Sequence, residues 1–193
     1  MKKIGDIIKP FVSIIFGALL FLIYLNYLSV TGWPLAIGIL GVILAAYYLT
    51  VGILGIVLGN KLDKGVKKIL DLISIVLFPT FMFVIFLMNA INYAKEGLLL
   101  PTGWVISVIS MIGAIFMVVA FVLAALLNIK FVTRLAFLFA AIFVLALLLN
   151  VLFSVEGAPI VLGNINIIGV VTYGVYVYML FNSFAEMKVE QAQ

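Results

Sequence analysis

Two residue types are absent from this chain, and each absence removes a class of chemistry. Without cysteine there are no disulfide bonds, thiol nucleophiles, thiolate metal ligands or lipid-modified cysteines. Histidine is also absent, and no aspartate or glutamate lies inside a long apolar stretch. General acid–base catalysis, zinc or haem ligation and a carboxylate proton relay therefore lack residues at membrane depth. We predict no enzymatic activity, no metal and no cofactor.

Charged residues are scarce, at 9% of the chain, whereas hydrophobic residues make up 67% and the mean hydropathy is +1.44. A water-soluble domain of 193 residues could not cover so much apolar surface. A bilayer core about 30 Å thick is crossed by roughly 20 apolar residues of helix. Six stretches without any charged residue have about this length: 11–28, 33–58, 72–94, 104–127, 135–153 and 167–184.

These stretches predict helices rather than the strands of a membrane barrel. They are continuously apolar and lack the alternation of a strand with one lipid-facing and one lumen-facing side. Inside lipid only helices and closed barrels satisfy the hydrogen bonds of the backbone. We therefore predict an all-α integral membrane protein, with residues 1–193 forming a single transmembrane domain built as a six-helix bundle.

The distribution of basic residues predicts the orientation in the cell membrane. With six spans and a cytoplasmic amino terminus, ten of the eleven lysine and arginine residues fall on the inner side, and only Lys95 falls outside. The positive-inside rule then places both termini of this multi-pass protein in the cytoplasm. The basic pI of about 9.3 indicates attraction to anionic lipid headgroups on that side. Nucleic acid is not an expected partner, because the chain lacks a soluble basic surface.

The longest inner connection, residues 59–71, mixes apolar and basic positions. Apolar residues recur along it every three to four positions, and lysines take the places between them: Lys61, Lys64, Lys67 and Lys68. This pattern predicts a short cytoplasmic amphipathic helix whose lysines contact lipid headgroups. A solvated loop and a docking surface for a cytoplasmic partner are the alternatives.

Weak internal similarity is consistent with three parallel helical-hairpin repeats. The triplets at 31–33 and 102–104 are both Thr-Gly-Trp and open the second and fourth stretches. The dipeptides at 96–97 and 156–157 are both Glu-Gly and precede a later glycine by the same spacing. In so restricted an alphabet, chance matches are the alternative.

Small residues at helix-packing spacings lie in the second and fourth stretches: Gly41, Ala45, Gly55, Gly59, Ala120 and Ala124. Such spacing lets two helix backbones approach closely inside a membrane. We expect these residues to pack helices within the bundle. Self-association or contact with other membrane subunits is the alternative.

Hydroxyl groups near the middle of the second and sixth stretches form the main candidate binding site: Tyr47, Tyr48, Thr50, Thr172, Tyr173 and Tyr176. An aromatic belt would place tyrosines at the headgroups instead. At mid-depth an unpaired hydroxyl costs on the order of a few kcal/mol, so each needs a polar partner. The partners are either groups on other helices or a ligand in a tyrosine-lined pocket.

Two functions fit these features. The first is a structural or accessory subunit of a larger membrane complex, which needs only apolar faces and small-residue contacts. The alternative is a carrier or channel component for a neutral or lipophilic small solute, which would use the tyrosine-lined pocket. The absence of charge at depth disfavours ion-coupled transport.

Overall fold

A computed structural model describes the chain over residues 4–59, 61–95, 102–127, 129–152 and 167–190. Within these ranges it contains six α-helices, one short 3-10 helix and no strand. The elements are α1 (Ile4–Leu25), the 3-10 helix (Asn26–Ser29), α2 (Trp33–Leu58), α3 (Lys64–Lys95), α4 (Thr102–Leu127), α5 (Lys130–Leu152) and α6 (Ile167–Glu190). All six α-helices are long and apolar enough to cross a membrane. For the described residues, the predicted all-α fold with six candidate spans is confirmed.

The start of α3 differs from the predicted span. It begins at Lys64, eight residues earlier than expected. Residues 64–71 thus form about two further turns of α3, not part of a separate amphipathic helix over 59–71. Asp63 explains the early start, because its carboxylate accepts a hydrogen bond from the backbone amide of Gly65 at 2.8 Å. This side chain satisfies an amide that has no partner within the helix.

The described helices are arranged as a ring. Each helix packs against the next in the chain, α6 packs against α1, and α3 also contacts α6. α1 and α2 are antiparallel, because Gly41 lies against Tyr24 near the end of α1 whereas Gly55 lies against Pro10 near its start. The start of α1 and the end of α2 therefore lie at one end of the bundle, where Lys9 of α1 also pairs with Asp71 of α3 and Glu186 of α6.

That end carries nearly all the positive charge of the described residues, and we call it the basic end. Its lysine and arginine residues are Lys9, Lys61, Lys64, Lys67, Lys68, Lys130, Arg134 and Lys188. Among the described residues only Lys95 lies at the opposite end, which we call the far end. The charge asymmetry read from the sequence thus corresponds to the two ends of one folded bundle.

The outer surface of the bundle is apolar between its two ends. Large hydrophobic side chains point away from the core on several helices, with Ile43, Leu126 and Leu145 all more than half exposed. Contiguous exposed apolar surface of this kind is unfavourable in water. The surface fits a multi-pass membrane protein with lipid around it.

The hairpin repeat stays a prediction. Its Glu-Gly dipeptides at 96–97 and 156–157 lie outside the described residues. The three hairpins would be α1–α2, α3–α4 and α5–α6. If they were equivalent, the contact between α3 and α6 would have counterparts between α1 and α4 and between α2 and α5. Over the described ranges, neither pair packs together as α3 and α6 do.

Candidate functional site

Small residues of α2 bring it into close contact with α1. A Cβ atom added at Gly41 would overlap the ring of Tyr24, and one at Gly55 would lie 2.9 Å from the side chain of Pro10. Between them Ala45 is fully buried. These three predicted packing residues therefore join helices within the chain, where dispersion contacts hold the backbones together.

The other three predicted packing residues have different surroundings. A Cβ atom at Gly59 would meet the carbonyl oxygen of Gly55 in its own helix, so Gly59 ends α2 without contacting another helix at that point. Ala120 and Ala124 of α4 are buried in the hydrophobic core of the bundle. Five of the six predicted packing residues thus lie in close contacts or in the core of a single chain, whereas Gly59 does not contact another helix.

Both tyrosines of α2 donate hydrogen bonds to the backbone of α3. The hydroxyl of Tyr48 donates to the carbonyl oxygen of Ser74 at 2.5 Å, in a fully buried position. The hydroxyl of Tyr47 donates to the carbonyl oxygen of Leu70 at 3.2 Å and also lies 3.3 Å from the hydroxyl of Ser74. The structure thus supplies partners on another helix for two of the six predicted ligand-binding residues.

Tyr176 of α6 makes the corresponding bond from the other side of α3. Its hydroxyl donates to the carbonyl oxygen of Ile75 at 2.8 Å. That carbonyl would ordinarily accept from the amide four residues later, but residue 79 is proline and has no amide hydrogen. Tyr176 therefore replaces the helical hydrogen bond that Pro79 removes. The Tyr176 hydroxyl thus has its polar partner at mid-depth in a backbone carbonyl group of α3 that lacks a donor within its own helix.

Four aromatic rings close the space between α1, α2, α3 and α6, and we call them the aromatic layer: Phe16, Tyr48, Phe78 and Tyr176. Each side chain is at most 1% exposed. The ring centroids of Phe16 and Tyr48 are 4.7 Å apart, and those of Phe78 and Tyr176 are 4.6 Å apart. Phe16 and Phe78 connect the two pairs at 5.2 Å. At these separations the rings attract one another and leave little room between them.

The remaining predicted hydroxyls do not join this layer. Thr50 is exposed on the outside of α2, and Thr172 donates to the carbonyl oxygen of Ile168 in its own helix at 2.6 Å. Tyr173 lies toward the far end, where its hydroxyl is buried and has no hydrogen-bond partner among the described residues. The same holds for the hydroxyl of Tyr24. The six predicted residues therefore do not line one common pocket.

A cavity of about 420 Å³ lies on the basic side of the aromatic layer, and α1, α2, α3 and α6 line it. Its deepest residues include Ser13, Ser74 and Ile75. Two of these supply the carbonyl groups bonded by the tyrosines of the layer, so the cavity ends beside these bonds, and the four rings of the layer do not line it. Its lining also includes Ile56 and Val57, which are exposed on the outer surface. At these two residues the wall of the cavity is also part of the apolar outer surface.

An ion-pair network forms part of the cavity wall at the basic end. The ammonium group of Lys9 lies 3.3 Å from the carboxylate of Asp71 and 2.5 Å from that of Glu186. These contacts connect α1 with α3 and α6. Since both carboxylates are partly exposed, the network contributes only modestly to stability and is weakened by salt.

The cavity was not predicted from the sequence, because its lining comes from four helices and from the α2–α3 connection. Among the predicted residues, only Gly55, Gly59, Lys61 and Lys67 line it. The sequence feature that could have indicated the cavity is a set of polar residues near the basic ends of the apolar stretches, such as Ser13, Ser74, Asn182 and Ser183.

The chemistry of the cavity can be read from the side chains that line it. In the part of the chain that the structure describes, no three His, Cys, Asp or Glu residues lie close enough to hold a metal ion. The cavity instead combines apolar walls with a few hydroxyl and amide groups. The chain matches no protein-family model, no curated protein and no solved structure. Function therefore has to be inferred from the cavity and the layer that closes it.

Proposed function

We propose that this protein is a membrane carrier, or the solute-binding component of one, that takes a small lipophilic solute into the cavity from the basic end. The observation that carries the proposal is a cavity that enters the bundle from one end and stops at a closed aromatic layer. Following the positive-inside rule, we propose that the basic end faces the cytoplasm.

The size and lining of the cavity support a small-molecule site. Its volume of about 420 Å³ lies within the range of roughly 300–1,000 Å³ typical of such sites. Apolar residues such as Val51 and Met179 alternate with the polar side chains of Asn182 and Ser183 along its wall. A mostly apolar surface with a few polar groups favours a lipophilic solute that carries some hydrogen-bonding capacity.

The structure of the aromatic layer supports a role as a barrier that opens. Its two tyrosines bond α2 and α6 to α3 immediately before Pro79, where α3 lacks one of its own hydrogen bonds. Proline within a helix is a common site of bending. Rotation of α3 about this point would break both tyrosine bonds together and connect the cavity with the far end. The layer is therefore the proposed gate, and the tyrosines act in the barrier instead of lining the pocket.

The order of neighbours around the ring also supports a carrier. The first three helices can be exchanged one by one with the last three, α1 with α4, α2 with α5 and α3 with α6. The set of packed helix pairs then stays the same, including the contact between α3 and α6. Because each half contains three helices, the two halves would have inverted orientations in a membrane. Many secondary transporters are built from inverted halves of this kind.

A structural or accessory subunit of a larger complex is the competing proposal. It is favoured by the composition alone, and it requires other membrane subunits as partners. Mass spectrometry of the protein purified in mild detergent separates the two proposals. A carrier is expected to retain a small molecule, whereas an accessory subunit is expected to retain companion polypeptides in fixed stoichiometry.

A cavity-filling variant makes this experiment specific. Val51→Trp would place a large ring in the cavity, and Ile43→Trp, at a site 60% exposed on the same helix, is the matched control. We expect the retained molecule to be lost from Val51→Trp and kept by Ile43→Trp, with both variants folded. Equal retention by both variants, or a wild-type protein that retains only companion polypeptides, would contradict the carrier proposal.

A further inference from the structure

We infer that the solute of this cavity is an amphiphile with an anionic head group, its head held between Lys61 and Lys67 and its apolar part directed toward the aromatic layer. This inference rests on the proposed function and specifies the class of solute. It follows from the charge at the mouth of the cavity, from its depth and from its apolar side wall.

The charge around the cavity favours an anion. Three lysines and one carboxylate line it: Lys9, Lys61, Lys67 and Asp71. Lys9 pairs with Asp71 and also with Glu186, so its charge is already balanced within the wall. Lys61, on the α2–α3 connection, and Lys67, on the second turn of α3, add positive charge at the mouth. A phosphate or carboxylate placed there would be attracted by both.

The depth of the cavity favours a ligand with an apolar part. Lys67, Leu70, Ser74 and Ile75 all line it from one face of α3. Lys67 and Ser74 are seven residues apart, which is about 10 Å along a helix. A small anion held at the lysines would leave this inner part without a ligand. An amphiphile fills both parts, with only a few polar groups to satisfy near the layer.

The apolar side wall of the cavity gives such a ligand a route of entry. Phe11, Ile56 and Val57 line the cavity and are each about half exposed or more on the outer surface of α1 and α2. An amphiphile in the adjacent leaflet could therefore enter sideways, keeping its head at the membrane interface. A fully water-soluble anion would not need this apolar entrance.

The cavity also divides the four lysines of the 59–71 segment into two pairs. Lys61 and Lys67 line the cavity, and Lys64 and Lys68 do not, although all four belong to one short segment. General attraction to an anionic membrane surface would make the four lysines nearly equivalent. A specific site makes the first pair matter more than the second, and this difference can be measured.

The test uses full-length protein in nanodiscs with equal amounts of dioleoyl phosphatidylglycerol and dioleoyl phosphatidylcholine, followed by native mass spectrometry of the released protein. We expect wild type to retain phosphatidylglycerol preferentially. In the double variant Lys61→Gln/Lys67→Gln this preference should fall about thirtyfold, given the attraction of the two lysines to a charged head group. The matched control Lys64→Gln/Lys68→Gln should stay within about twofold of wild type. Thermal unfolding of each variant verifies that it is folded.

Three outcomes would overturn the inference. Equal losses in the two double variants would indicate general surface attraction. Equal retention of both lipids by wild type would exclude an anionic head group. Full displacement of phosphatidylglycerol by millimolar glycerol 3-phosphate would show that a water-soluble phosphate suffices. If one of these occurs while wild type still retains a molecule that Val51→Trp loses, the carrier proposal stands and only the solute class is wrong.

Discussion

The bond from Tyr176 to α3 gives the most quantitative prediction. Tyr176→Phe keeps the buried ring of the aromatic layer and removes only the hydroxyl that donates to Ile75 at 2.8 Å. Because Pro79 has no amide hydrogen, the carbonyl of Ile75 then loses its donor in apolar surroundings. An unsatisfied buried carbonyl costs about 1–3 kcal/mol, and interhelical hydrogen bonds measured in membranes lie at the lower end of this range. We expect Tyr176→Phe to lower the free energy of unfolding by about 1–2 kcal/mol.

A double-mutant cycle with Pro79→Ala tests the cause of this loss. Alanine at position 79 restores an amide that can donate to the carbonyl of Ile75 within α3. In that background Tyr176→Phe should cost less than about 0.5 kcal/mol, so the coupling energy should be about 1 kcal/mol. Equilibrium unfolding in mixed micelles of dodecyl maltoside and sodium dodecyl sulfate would measure all four proteins.

Tyr48→Phe is the control for this cycle. Tyr48 donates to Ser74, whose own helical donor, the amide of Phe78, is present in both backgrounds. The cost of Tyr48→Phe should therefore not change with Pro79→Ala. If Tyr176→Phe also costs the same in both backgrounds, the tyrosine does not replace the missing helical bond and the reasoning fails.

Four further substitutions test the packing of the far half of the bundle. Tyr24→Phe and Tyr173→Phe remove buried hydroxyls that have no hydrogen-bond partner among the described residues. Thermal unfolding should therefore show a stability that is unchanged or raised by up to about 1 kcal/mol. A clear loss of stability would mean that these hydroxyls have partners. Gly41→Ala should destabilise by about 1–3 kcal/mol because its methyl group overlaps the ring of Tyr24. Gly169→Ala is the control, because nothing lies within 4 Å of the added carbon, and it should be neutral or slightly stabilising. Equal losses of stability in Gly41→Ala and Gly169→Ala would argue against close α1–α2 packing.

The helices were predictable from the sequence because membrane thickness sets a length that any apolar span must reach. The prediction for α2, residues 33–58, agrees with the observed bounds Trp33–Leu58. The start of α3 was missed because hydropathy responds to lysines, whereas the helix begins where Asp63 caps it. The extra turns are polar, and they are helical because their backbone hydrogen bonds continue those of the span.

The candidate site was predictable only in part. The sequence placed Tyr48 and Tyr176 at mid-depth and indicated that each hydroxyl needs a partner. Their partners are backbone carbonyl groups of α3, and a backbone group has no signature in the sequence, although Pro79 indicated a carbonyl without a helical donor. The cavity could not be predicted, because it is defined by the relative positions of four helices whose facing residues are far apart in the chain.

The most direct test of the central claim measures where water can enter the bundle. The chain has no cysteine, so single cysteines at three positions of α1 can be labelled without background. Ser13 lines the cavity, Ile15 is 51% exposed on the outer surface, and Leu20 lies one turn beyond Phe16 of the aromatic layer. With a membrane-impermeant thiol reagent on the side of the basic end, Ser13→Cys should react, whereas Ile15→Cys and Leu20→Cys should not. Reaction of Leu20→Cys as fast as Ser13→Cys, or no reaction at Ser13→Cys, would contradict a cavity closed by the aromatic layer.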